Sequence, residues 1–251
     1  MGLFFGLNKA SGSTPIPNIL LTNLEAYWKL DEAGGAQLMD AHTNNYDSAG
    51  NTTTTTTGKL NGCIACDGTQ YASFGNILGF ERTDAFSFSA WVYRDSADTL
   101  DTVISKMEST GDARGFLFML RNSGAGLQPY KLHFALRNNT SGNDFSIFGS
   151  LYPIETGNWY HIAVTYDGSS NASGVDMYVN GQHETNDIYT NNLTDTIANA
   201  SNFCLGARPT ATTQYMNGKI DEVGIWSRVL TASEILKLYN GGSGYAYENF
   251  Q

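Results

Sequence analysis

The sequence predicts an all-β chain: two stacked antiparallel sheets, with one short helix near the C-terminus. Three observations predict this. Residues 157–181 read as strand, turn and strand, with aromatic and β-branched runs at 159–166 and 175–179 around Asp167-Gly168. Asn180-Gly181 then turns the chain again, and Asn-Gly between β-formers favours a type I′ hairpin because both central residues need φ > 0. Residues 86–92 alternate, with Phe86, Phe88, Ala90 and Val92 on one face. Finally, 27 Gly, 14 Tyr and 13 Phe in 251 residues favour strands and turns over helices.

Taken in order, residues 1–22 divide into an apolar tip, Gly2 to Leu7, and a linker of small residues and prolines, 8–18. That pattern suits a docking arm. Residues 24–30 form the first strand, and Asp31-Glu32-Ala33-Gly34-Gly35 turns out of it. A long polar loop follows at 40–58. Its threonines, Thr52 to Thr57, have high β-propensity without apolar alternation and read as an exposed edge segment leading into 59–64. After 86–92, the acidic stretch 94–101 reads as a solvated turn, with Asp95, Asp98 and Asp101 spaced by three. Further strands are expected at 103–107, 115–121, 131–137, 145–151 and 218–228, joined by Gly- and Asn-rich loops. Thr231 and Glu234 form a capping box, so 235–239 becomes one or two helical turns, stopped by Asn240-Gly241-Gly242. The sandwich thus spans 23–240, followed by a Gly- and Tyr-rich tail, 241–251.

Charge narrows the partners. A net charge of −10 and a pI near 4.7 argue against nucleic acid or an anionic membrane surface. No run of about 18 apolar residues occurs, so no membrane-spanning helix is expected. The N-terminus lacks the basic residue and the apolar length of a secretory signal, and Gly6 breaks the myristoylation pattern. The expectation is cytoplasmic synthesis without classical export, which leaves little meaning for the N-x-[ST] sequons at Asn51, Asn138, Asn139, Asn171, Asn192 and Asn199. Cys63 and Cys66, three apart in a strand, point to opposite faces and suit small buried hydrophobes better than a disulfide or a zinc site; the third cysteine is Cys204.

Five stretches carry a family resemblance. W-Y-H-I-A-V-T-Y-D-G at 159–168 with M-Y-V-N-G at 177–181 resembles the signature of laminin-G-like, concanavalin A-like jelly-roll domains. Y-W-K-L-D-E (27–32), C-D-G-T-Q-Y-A-S-F (66–74), F-S-F-S-A-W-V (86–92) and G-K-I-D-E-V-G-I-W-S-R-V-L-T-A-S-E-I (218–235) match in the same order. The resemblance implies a jelly-roll topology, a packing role for His161, and a short helix after the last strand. It also implies a structural Ca²⁺ tying the first strand to the last. Asp221 is the best matched ligand, with Asp31 and Asp67 as the others, although no D-x-[DN]-x-[DN]-G loop is present.

Catalysis finds little support. The E-x-D-x-x-E pair of related glucanases is absent, Asp221 and Glu222 are adjacent on a strand, and no G-x-S-x-G, H-E-x-x-H or phosphate-loop motif occurs. His183-Glu184 is followed by T-N-D and so makes no metalloprotease motif, and His42, His133 and His161 are isolated and read as structural histidines. Glycan recognition fits better, because sugar sites combine aromatic faces with Asn, Asp and Gly at loop ends. The candidates are Tyr46 in 42–47, Asn139 and Asn143 in 137–144, and Tyr189 in 185–192. The chain therefore reads as a non-catalytic module binding a surface glycan or protein. The N-terminal arm (1–22) and the missing export signal suggest a phage virion component, such as a head-decoration or tail-fibre protein, docked to other subunits. A purely structural virion protein and a secreted carbohydrate-binding or adhesion domain are the alternatives.

Overall fold

The computed structural model describes residues 19–108, 110–124, 129–208 and 214–250. Residues 1–18 of the expected docking arm lie outside the described residues. Within them, strands build two antiparallel sheets. The first runs β13 (Gln182–His183), β12 (Val175–Val179), β11 (Trp159–Tyr166), β6 (Phe86–Arg94), β16 (Asn217–Trp226), β4 (Gly62–Asp67) and β3 (Thr54–Thr57), with β1 (Leu24–Trp28) also pairing β16. The second runs β14 (Asn186–Asn191), β10 (Asp144–Gly149), β9 (Leu132–Arg137), β8 (Gly115–Leu120), β7 (Asp101–Met107), β15 (Cys204–Leu205), β5 (Ala72–Ser73) and β2 (Gly50–Asn51). The two-sheet sandwich with one short helix is the architecture the sequence predicts.

The core fills the space between the sheets. Phe86, Phe88, Ala90 and Val92 of β6 face Phe116, Phe118, Phe134 and Phe145 from the second sheet. Phe86 and Phe88 stack at 4.9 Å between ring centres, and Phe88 meets Phe116 at 5.2 Å. Asn180 (φ 52°) and Gly181 (φ 75°) both adopt the left-handed conformation that the expected hairpin requires. The threonine run forms β3, an exposed strand pairing with β4. Cys63, Cys66 and Cys204 are buried free thiols.

The alternation in β6 does not divide it into dry and wet faces, because Ser87, Ser89 and Trp91 are buried too. Helix α1 (Ala232–Tyr239) covers that side. Thr231 and Glu234 close the expected capping box, and Asn240 ends the helix in the left-handed conformation. Ile235 and Leu238 pack on Tyr27, Ala163, Tyr178 and Trp226, while Tyr239 stacks on Trp91 at 5.8 Å. His161 lies between the layers, 2.8 Å from Ser89 Oγ, and burial pushes its pKa down to about 3, so it packs as a neutral ring.

The packed body extends past both expected limits, residues 23 and 240. Leu20 and Phe250 are fully buried against Trp226 and Tyr27, and the Trp226 indole N–H donates to the Leu20 carbonyl at 2.7 Å. Residues 241–250 are therefore no loose tail: Tyr247 stacks on Tyr27, and Glu248 pairs with Lys29 at 2.9 Å.

Asp101 also departs from its expected setting, a solvated turn. It begins β7 and is fully buried beside Arg94, the last residue of β6, at 2.7 Å. Arg94 donates further to the carbonyls of Arg121, Ile154 and Thr99, and Asp101 accepts from Thr99 Oγ1 and the Asn217 N–H. Removing one partner leaves a buried charge uncompensated. Asp101→Ala is expected to lower unfolding free energy by about 3–5 kcal/mol in urea denaturation; Asp98→Ala, in the exposed part of the same turn, should change it by less than about 0.5 kcal/mol.

Candidate functional site

The second sheet turns a polar, half-enclosed face away from the core. In β9, Leu132, Phe134 and Leu136 point inward, so His133, Ala135 and Arg137 point outward. The register sets their neighbours: His133 lies between Met119 and Phe148, Ala135 between Leu117 and Ser146, and Arg137 between Gly115 and Asp144. Strand β14 adds a bulge after Ser146, where its register shifts between Thr190 and Ile188. The bulge lays Tyr189, 63% exposed, against Phe148 with ring centres 5.9 Å apart.

This produces an aromatic shelf with cations beside it. Phe148 is flanked by His133 at 4.6 Å and carries the Arg121 guanidinium at 5.0 Å. His133 Nε2 lies 2.7 Å from Ser146 Oγ. Enclosure, reinforced by the charges of Arg121 and Arg137, pushes the His133 pKa down to about 3 and keeps the ring neutral. Several enclosed polar atoms on this face have no hydrogen-bond partner: His133 Nδ1, Arg137 Nε, Asp144 Oδ1, Thr190 Oγ1 and Arg208 Nε. Such atoms are rare in folded proteins, and a bound polar ligand would satisfy them.

The sequence-predicted glycan residues distribute unevenly about this face. Tyr189 is its most exposed aromatic. Asn139 and Asn143 hold the β9–β10 turn at the other end: Asn139 Oδ1 accepts from the N–H groups of Ser141 and Asn143, and Asn143 clasps Thr194 through both its amide atoms. Their side chains are committed to the turn. Tyr46 lies elsewhere, packed on the core with its carbonyl accepting from Trp28 Nε1. Sequence reading did not find His133, Arg137, Phe148 and Arg208. The alternation L-H-F-A-L-R in β9 carries the signal for the first two, whereas nothing local marks Arg208.

The three carboxylates expected to share Ca²⁺ do not meet. Asp67 is exposed and accepts from the Thr69 N–H and hydroxyl. Asp31 and Asp221 both reach the 58–62 turn, where Asp31 Oδ1 accepts from the Gly62 N–H and Asp221 Oδ2 from those of Lys59 and Leu60. Calcium needs about six to eight oxygens, and among the described residues no group of three His, Cys, Asp or Glu is placed to hold a metal. This donor set does not fit a calcium cage; it staples a turn. Asp221 Oδ1 is buried without a partner, and burial pushes that carboxyl up to about 8, which places a proton there at neutral pH. A bulge with Glu222 at φ 49° breaks the strand alternation, so Glu222 accepts from Tyr27 Oη at 2.5 Å and burial pushes it up to about 7.

The chain belongs to the concanavalin A-like lectin/glucanase superfamily, whose laminin-G family model matches residues 67–236. Solved structures agree on the fold. The binding domain of Paraclostridial Mosquitocidal Protein 1 aligns with a TM-score of 0.64 at 19% identity, over 89% of this chain and 53% of that one. The chain thus spans about half the length of that toxin domain. Domain 4 of AbnA, an extracellular arabinanase from Geobacillus stearothermophilus solved with arabinotriose, aligns with a TM-score of 0.62 at 20% identity, over 86% of this chain and 97% of that one. A Trypanosoma rangeli sialidase solved with sialic acid aligns at 0.60 and 15% identity, over 90% of this chain and 34% of that one. No curated protein sequence matches the chain. Among the described residues, no helix is long and apolar enough to cross a membrane.

Burial raises the pKa of Asp221 and Glu222 above their unfolded values, so the native state holds more protons than the unfolded chain between about pH 4 and pH 8. Their contribution to stability is complete below that window and is lost as pH rises through it. In thermal melts across pH 4–8, wild type is expected to lose stability relative to Asp221→Asn as pH rises.

Proposed function

We propose that this chain is a non-catalytic recognition module that binds a glycan on a cell or particle surface through the outer face of its second sheet. The observation that carries the reading is Tyr189: an exposed aromatic laid on Phe148, beside enclosed polar atoms that lack partners. Pyranose rings stack on such surfaces, and convergent polar groups fix their hydroxyls. The lectin-like family is consistent with this use of the fold. Two of the similar structures were solved with arabinotriose and with sialic acid, which makes sugars the first ligands to test. A competing location is a cavity of about 500 Å³ whose lining includes Tyr152, Glu155, Tyr160, Asn180, Gln182 and Tyr239. Its lining holds no arginine or lysine, and the five unpartnered atoms around Tyr189 and Arg137 lie on the other face.

The same proposal sets the module in a larger assembly, a phage virion being the context that fits its sequence, with the N-terminal arm as the dock. Since Leu20 belongs to the core, the arm that can be removed ends at residue 18.

Two outcomes are expected. Tyr189→Ala should weaken binding on a glycan array and in calorimetry about tenfold, the scale of one lost aromatic stacking contact, while Tyr160→Ala in the competing cavity leaves affinity unchanged. A reversed pattern would move the site to the cavity. Deleting residues 1–18 should leave the melting transition in place and abolish co-sedimentation with the virions; co-sedimentation of the truncated chain would remove the docking role.

A further inference from the structure

The outer face of the second sheet departs in charge from the rest of the molecule. The chain has 14 basic residues against 24 acidic ones, a net charge of −10, yet Arg121, Arg137 and Arg208 all act on this one face. The charges of Arg121 and Arg137 both bear on His133, and that of Arg137 bears on Arg208, whose guanidinium sits at the Glu108 carbonyl beside the Gly115–Arg137 row. Gathering like charges in a half-enclosed site is unfavourable unless something of opposite charge completes it.

For Arg137 and Arg208 the described residues supply little of that opposite charge. Arg137 reaches one carboxylate, Asp144, at 3.4 Å, a long contact for a charged hydrogen bond. Arg208 makes no ion pair among the described residues. Its Nη2 donates to the Glu108 carbonyl at 2.7 Å and its Nη1 to Gln214 Oε1 at 3.4 Å. In both side chains Nε is enclosed and has no partner. Two other arginines are satisfied differently: buried Arg94 meets Asp101 at 2.7 Å, and partly exposed Arg228 meets Glu234 at 2.5 Å. The contrast marks Arg137 and Arg208 as donors held in reserve.

We propose that this face selects an acidic saccharide, one whose carboxylate or sulfate group is received by Arg137 and Arg208 while a neighbouring ring stacks on Tyr189 and Phe148. The inference rests on the glycan reading above and deepens it. Arg137 and Phe148 stand two outward-facing rows apart, with only the Ala135–Ser146 row between them, about 13 Å along the strands at 3.3 Å per residue. That span exceeds one pyranose ring, so the ligand is an oligosaccharide with its charged residue toward Asn139 and the β9–β10 turn. Along this stretch, Thr190 Oγ1 beside Ser146 and His133 Nδ1 beside Phe148 are enclosed without a protein partner. Neutral His133 is suited to ring hydroxyls, since it can accept as well as donate.

The test compares lactose, 3′-sialyllactose, 3′-sulfolactose, galactotriose and trigalacturonate by calorimetry on the full chain, at low and physiological salt. The acidic members are expected to bind at least tenfold more tightly than their neutral counterparts, with the advantage shrinking as salt rises. In Arg137→Gln/Arg208→Gln that preference should collapse toward unity. Arg208→Lys, the milder change, should keep part of the salt dependence while losing the fork geometry that favours carboxylate and sulfate; it serves if the double variant fails to fold. Preference for the sialylated and uronate ligands assigns the carboxylate, and preference for sulfolactose the sulfate. Equal binding of neutral and acidic members, or a preference that survives both arginine changes, overturns the inference and leaves the glycan reading standing. Binding to no member of either series at millimolar concentration overturns both.

Discussion

The Arg94–Asp101 pair joins what would otherwise be two separate sheets. Arg94 ends a strand of the first sheet and Asp101 opens a strand of the second, so their 2.7 Å contact spans the sandwich at one end. Both side chains are fully enclosed, and a charge pair is tolerated there only when its remaining donors and acceptors are satisfied. They largely are: Arg94 gathers the carbonyls of Thr99, Arg121 and Ile154, and Asp101 takes the N–H of Asn217. The hydrophobic core gives the layers their attraction, but it is non-directional. The ion pair fixes where one layer stops against the other. It also holds the backbone of Arg121, whose side chain lies over Phe148, so the interior pair and the proposed binding face share an element.

Carboxylates do two kinds of structural work elsewhere in the fold. Asp221, Asp31 and Glu184 accept backbone N–H groups and pin loops, at 59–62 and 151–152, that would otherwise leave donors unsatisfied. Glu234 caps the helix and binds Arg228, which itself reaches the carbonyls of Ile19 and Thr22. Much of the acidic excess is therefore committed to the backbone. That is why acidic residues that look like metal ligands in sequence prove to be clamps in three dimensions.

The fold was largely legible because its signals are local. Alternation in β6, the Asn180-Gly181 turn and the Thr231–Glu234 capping box each depend on a few consecutive residues, and each formed as the pattern demanded. The misreadings share a cause. Whether Asp101 is wet or buried depends on Arg94 and on Asn217, more than a hundred residues away, and spacing says nothing of that. The strand at Asn186–Asn191 was hidden because it is a polar edge strand with exposed side chains, which lacks the apolar period of an inner strand. Its bulge gives Tyr189 its place, so that tyrosine could be suspected from composition but not positioned. Arg208 follows a two-residue strand and joins the face only through tertiary packing.

The ends of the described chain carry a consequence for display. Residues Ile19–Leu21 and Tyr247–Phe250 lie against each other on the helix-covered side of the first sheet, whereas Tyr189 and Arg137 belong to the opposite side of the sandwich. The first and last described residues therefore both lie at the back of the proposed binding face. With that back turned to a common support, the proposed face looks outward, and arrayed copies would present their faces together to a surface opposite.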